Sequence, residues 1–103
     1  MLNTESSPQV GQLVKILKGK EAGEIAVVIA ILDSRFVYIA DGDKRKFDGP
    51  KKKNILHLEL TSIISSEVVN SLKETGRVTN GKLRYAVLDY VRSAGISAMK
   101  KGE

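Results

Sequence analysis

Residues 11–32 read GQLVKILKGKEAGEIAVVIAIL, and where this stretch stops and restarts decides the fold. Gln12–Leu17 is a run of strand length in which Val14 and Ile16 share one face and Lys15 takes the other. It ends at Lys18-Gly19-Lys20-Glu21-Ala22-Gly23, where two glycines mark a turn. Glu24–Leu32 is then almost continuously apolar, rich in β-branched side chains and too short for an ordinary helix. Bounded by Gly23 and Asp33-Ser34, it predicts a central strand buried on both faces.

Downstream, Asp33-Ser34-Arg35 is a short connection to Phe36–Ala40, a second strand of an antiparallel hairpin. Asp41-Gly42-Asp43 signals another tight turn, since glycine tolerates the positive φ such turns need. Lys44–Phe47 follows as a short strand, broken by Asp48-Gly49-Pro50. Ile55–Leu60 reads as the last strand, with Leu56, Leu58 and Leu60 inward and Ile55, His57 and Glu59 outward. About five short strands joined by tight turns predict a small β-barrel.

After Leu60 the apolar period lengthens. Ser65 or Ser66 caps a helix running through Glu67 to Thr75, and Gly76 stands where a helix-ending glycine belongs. Thr79 or Asn80 caps a second, with Leu83, Val87, Tyr90, Val91 and Ala94 on one face and Gly95 at its end. The chain is therefore mostly β with a C-terminal α part: a flexible segment at 1–9, a barrel at 10–60, a helical hairpin at 61–95 and a flexible tail at 96–103.

Charge is as unevenly distributed as structure. Lys44, Arg45, Lys46, Lys51, Lys52 and Lys53 stand against Asp48 alone, a local excess of +5 that equals the excess of the whole chain. The other 93 residues hold 11 basic and 11 acidic groups, so the protein is not generally basic. Crowded like charges repel, and a polyanion relieves them: RNA, DNA or an acidic membrane surface all satisfy that requirement, and a solvated lysine-rich loop is the plain alternative. There is no cysteine, which rules out disulfides and thiolate metal sites. The longest apolar stretch, Ile25–Leu32, is far shorter than a membrane span, and the first residues lack the pattern of a signal peptide, so the expected location is the cytoplasm.

Strand, basic glycine-containing turn, then strand is the layout of the KOW motif, and this chain resembles it at Gly11, Val14, Gly19, Lys20, Gly23 and Val27. Residues 37–60, VYIADGDKRKFDGPKKKNILHLEL, resemble the second half of bacterial KOW-domain RNA-binding proteins that are similar to archaeal and eukaryotic-type large-subunit ribosomal proteins. The shared features are Ala40-Asp41-Gly42, the basic Lys44-Arg45-Lys46, Pro50-Lys51-Lys52-Lys53-Asn54 and His57-Leu58. The resemblance covers Val10–Leu60 and departs at Ala22, where the family commonly has a basic residue before the glycine. It implies an SH3-like KOW barrel and RNA binding, with ribosomal RNA as the partner.

The residues themselves agree. Lysine and arginine neutralise phosphates and release counterions without reading a base. Lys44, Arg45, Lys46, Lys51, Lys52 and Lys53 are the expected primary contacts; Lys18, Lys20 and Arg35 are secondary ones from neighbouring turns, and Asn54 either bonds a base or sugar or closes its own turn. Tyr38 and Phe47 are read as core aromatics ahead of stacking platforms.

His57 is the single histidine, so neither a metal cluster nor a histidine-based triad has a second member. No serine lies in a nucleophile elbow, and Lys18–Gly23 lacks the end of a phosphate loop. The expectation is a non-enzymatic ribosomal or ribosome-associated protein without cofactor, metal or membrane partner, monomeric when free and in contact with RNA and ribosomal proteins. The rival expectation is a protein-interaction module of the transcription or translation machinery, which exposure of Leu83, Val87 and Val91 would favour.

Overall fold

A computed structural model describes residues 7–94. Strands β1 (Gln12–Ile16), β2 (Ile25–Ile31), β3 (Phe36–Ala40), β4 (Lys51–Asn54) and β5 (Leu58–Ile64) form one antiparallel sheet in the order β4-β3-β2-β1-β5. A single 3-10 turn, Ile55–His57, carries β4 into β5. The two edge strands are thus consecutive in the chain, and the sheet is the mostly β, SH3-like unit expected of it. Register shifts between Val28 and Ala30 on β2 and between Gln12 and Val14 on β1 add local bend.

β2 shows why its sequence carries no polar face. Ala26 and Val28 join Val14, Ile16, Val37, Ile39 and Leu58 in one core cluster. Val27 and Ile29 point the other way, to a second cluster with Leu13 and Ile25 that is covered by helices α1 (Ser66–Thr75) and α2 (Asn80–Ser93) through Val68, Leu83 and Ala86. A side chain such as Leu83, fully buried here, contributes about 1.5–3 kcal/mol by leaving water. The helices are part of the domain's own core.

Their ends follow the sequence signals. Ser65 Oγ accepts the Val68 N–H at 3.2 Å, and Gly76, in the left-handed region, donates its N–H to the Leu72 carbonyl. Thr79 Oγ1 accepts the Lys82 N–H at 3.1 Å, so Thr79 is the cap of α2 and the Asn80 side chain is left for another partner. Gly11, at φ +88°, leads into β1 so close to α1 that an added Cβ would lie 2.5 Å from Val69 Cγ2.

Two expectations are corrected. Lys44–Phe47 is not a strand; the fourth strand is Lys51–Asn54, the lysine run itself, paired to β3 with Val37 opposite Lys53 and Ile39 opposite Lys51. Charge at these positions had read as loop, but a four-residue edge strand tolerates lysine because one side of it stays in water. The last strand starts at Leu58, because Asn54 Oδ1 accepts the Leu56 N–H and winds residues 55–57 into a 3-10 turn. Leu56 consequently points outward and is 80% exposed, while Leu58 is buried. Ser7–Gln9 are the described part of the expected N-terminal segment; residues 1–6, the helix end expected at Gly95 and the tail at 96–103 lie outside the described residues.

Candidate nucleic-acid interface

The basic stretch divides into three parts with different surroundings. In the first, Asp41 Oδ1 accepts the N–H groups of Asp43 and Arg45, closing the turn at Gly42. This aims Lys44 and Arg45 at the β1–β2 turn, where Lys44 Nζ lies 2.6 Å from Glu24 Oε2 and Arg45 Nε 3.3 Å from Glu21 Oε2. The hydrogen bond to Glu24 raises the Lys44 ammonium above its ordinary value, so it stays charged. The Arg45 pair is a charge contact without hydrogen-bond geometry at Nε. Two of the six expected primary cations are therefore already matched by carboxylates.

The second part, Lys46–Pro50, is held by the helices. The Phe47 N–H donates to Asn80 Oδ1 at 2.7 Å, and Arg84 Nη1 donates to the Gly42 carbonyl at 2.8 Å. Arg77 reaches back to Asp48 Oδ1 at 2.8 Å and lies 4.9 Å from the Phe47 ring centre. Gly42 has φ +82°, and any Cβ there would run into the Asn80 carbonyl. The loop between β3 and β4 is fastened to the N-terminal turns of α2.

The third part is β4. Because side chains alternate along a strand, Lys51, Lys52 and Lys53 do not share one face. Lys52, opposite Tyr38, is exposed and places its ammonium 4.7 Å from the centre of the Phe36 ring. Lys53 turns the other way and donates to the Lys18 carbonyl at 2.9 Å, bridging β4 to the β1–β2 turn. Asn54 takes the turn-closing role that was one of its two expected ones. Arg35 sits in the β2–β3 turn, where Asp33 Oδ1 accepts the N–H groups of Arg35 and Phe36 and is held below the usual carboxylate range by them.

Lys53 meets Lys18 through the Lys18 carbonyl, and the Arg35 carbonyl is bonded to the 3-10 turn that Asn54 closes, with Lys20 in the same β1–β2 turn as Lys18; Lys52 lies on the other face of β4, over Phe36. Among the described residues, Lys18, Lys20, Arg35, Lys46, Lys51, Lys52 and Lys53 have no carboxylate within ion-pair distance. Tyr38 and Phe47 are partly buried against the helix-covered core, as their reading predicted. Glu21, Glu24, Asn80 and Arg84 had no functional reading from sequence. Each acts across the fold at a separation of 20 or more residues, and no local pattern marks them.

The KOW motif model matches residues 10–39, which hold β1, the β1–β2 turn, β2 and most of β3. A Bacillus subtilis (strain 168) protein named "Putative ribosome-binding protein YbzG" is 49% identical over 71 residues, 69% of this chain and 96% of that protein. The chain belongs to the KOW-motif family. In its KOW segment, Val14 and Val27 are core residues, and Gly19 lies beside the Lys53 ammonium, which an added Cβ would approach to 3.2 Å. The motif's basic residue, Lys20, is exposed at the same end of the barrel as Lys18 and Lys53. Among the described residues no group of three or more potential metal ligands occurs, and no helix is long and apolar enough to cross a membrane.

Proposed function

We propose that this KOW-motif protein is a non-catalytic, cytoplasmic RNA-binding protein that binds ribosomal RNA as a ribosomal or ribosome-associated component, monomeric when free. The observation that carries the reading is a group of cations that have no carboxylate within ion-pair distance among the described residues, Lys18, Arg35, Lys52 and Lys53 on the strands and turns flanking the 3-10 turn, with Lys20, Lys46 and Lys51 on adjoining surface. Such a surface neutralises phosphates at a spacing fixed by strands and turns. Lys44 and Arg45 are paired with Glu24 and Glu21 of the β1–β2 turn, which holds them back from the phosphates. Asn54 shapes the turn at the centre of the surface. The name of the Bacillus relative supports the ribosome as the setting.

The rival, a module whose barrel and helices dock on a protein, would be favoured by exposure of Leu83, Val87 and Val91. Leu83 is buried on the protein's own barrel; Val87 and Val91 are half-buried and line an open groove of about 560 Å³ beside Ile25. The test is sedimentation of cell extract at low and high salt, together with RNA binding by the purified protein. Comigration with the large subunit that persists in high salt is expected. Engagement of four single-stranded phosphates gives a slope of log affinity against log salt of roughly −3. Replacing Lys51, Lys52 and Lys53 by alanine flattens that slope; an unchanged slope removes these residues from the contact.

A further inference from the structure

Leu56 is the most exposed large apolar side chain among the described residues, at 80%. Isolated surface leucines are common and need no explanation. This one differs in how firmly its backbone is held. The Leu56 N–H donates to Asn54 Oδ1 at 2.8 Å, the Ile55 N–H to the Arg35 carbonyl at 2.8 Å, and the His57 carbonyl accepts the Leu17 N–H at 2.9 Å. Ile55, one residue earlier, packs against the barrel core, so the turn is anchored inward at Ile55 and projects Leu56 outward. The bond to Leu17 brings a second exposed leucine, 46% accessible, to the base of the projection.

The surroundings are cationic. Lys53 lies three residues before Leu56 and reaches the carbonyl of Lys18, next to Leu17; Arg35 is bonded to the turn through its backbone carbonyl; Lys52 lies over the Phe36 ring. Asp33 is an acid on the Arg35 side of the turn; its carboxylate accepts two backbone N–H groups and also feels the charges of Lys52 and Arg35. An apolar tip on a turn flanked by cationic residues complements a polyanion that also offers apolar faces. In RNA those faces are accessible where bases are unpaired, and aliphatic side chains are able to wedge against base faces, as they do between the base steps of duplex DNA.

Resting on the RNA-binding reading above, we infer that Leu56, supported by Leu17, is the site that receives an unpaired nucleotide, with Lys18, Arg35, Lys52 and Lys53 holding the phosphates on either side. The cations set affinity for any RNA, and the leucine tip sets the preference for a bulge or loop over a continuous duplex.

Two fluorescently labelled RNA stems, identical except that one carries a bulged nucleotide, test this with the full chain and its Leu56→Ala, Leu56→Met and Leu17→Ala variants across a salt series. Wild type is expected to prefer the bulged stem. Leu56→Ala loses about fivefold to tenfold on the bulged stem, binds the paired stem as wild type does and keeps the same salt slope. Leu56→Met retains the preference, and Leu17→Ala loses part of it. Circular dichroism of the variants, whose altered side chains are exposed, confirms an unchanged fold. Equal affinity of Leu56→Ala and wild type for the bulged stem overturns the inference while leaving the RNA-binding reading intact. Failure of the wild type to bind either stem overturns both. Reduced ribosome sedimentation of Leu56→Ala with unaltered binding to both stems overturns it in favour of a protein contact.

Discussion

The Phe47 N–H donates to Asn80 Oδ1 at 2.7 Å, which ties the middle of the β3–β4 loop to the first residue of α2. Thr79 already caps that helix, so the Asn80 amide has this loop contact as its role. Asn80→Ala leaves a part-buried N–H without its acceptor, at a cost of about 1–3 kcal/mol. The expected outcome is a lower urea midpoint with an unchanged m-value, and faster amide exchange at Phe47 and Gly42 than in β1 or β2. Equal exchange in loop and sheet would show that the contact does not fasten the loop.

How much of this was legible in the sequence depends on the range of the interactions involved. β1 is set by local alternation, β2 and β3 by short apolar runs bounded by turn residues, and all three spans are readable within a residue or two. The helix caps Ser65, Thr79 and Gly76 are equally local. Lys51–Asn54 was misread because its strand character comes from pairing with Phe36–Ile39, which overrides the low strand preference of lysine. Leu56 was placed inside because alternation was carried through residues 55–57, where one asparagine side chain converts strand into turn. The candidate site divides the same way: which residues are cationic is written in the chain, but which of them meet a carboxylate depends on Glu21 and Glu24, in a turn about twenty residues away.

Asp33 gives the β2–β3 hairpin a pH dependence of known sign. Its carboxylate accepts from the Arg35 and Phe36 N–H groups, chiefly the former in effect, so its folded value lies below the ordinary 3.8. Its contribution is therefore complete above the unfolded value and is lost as pH falls through the folded one. Lys44 is the alkaline counterpart: raised above 10.5 by Glu24, it contributes fully below that value and loses its effect as pH rises through the folded one. Asparagine at position 33 keeps an oxygen acceptor but does not titrate. Urea midpoints measured between about pH 6 and pH 2 should fall more steeply for wild type than for Asp33→Asn. Parallel acid limbs would exclude Asp33 as a contributor.

The pairing of Lys44 with Glu24 and Arg45 with Glu21 predicts that acidic residues of the KOW turn hold RNA affinity down. The double variant Glu21→Gln, Glu24→Gln raises the net charge from +5 to +7 and releases two cations beside Lys18 and Lys20. Binding to single-stranded RNA should tighten, and the salt slope should steepen by up to about 1.4 if both cations then engage phosphates. A second double variant, Glu67→Gln with Glu74→Gln on α1, reaches the same net charge without freeing a cation on the barrel. If affinity is governed by local release, the first variant steepens the slope and the second leaves it near the wild-type value. Equal effects of the two would mean that the overall charge of the protein, and not the arrangement around the KOW turn, sets its attraction for RNA.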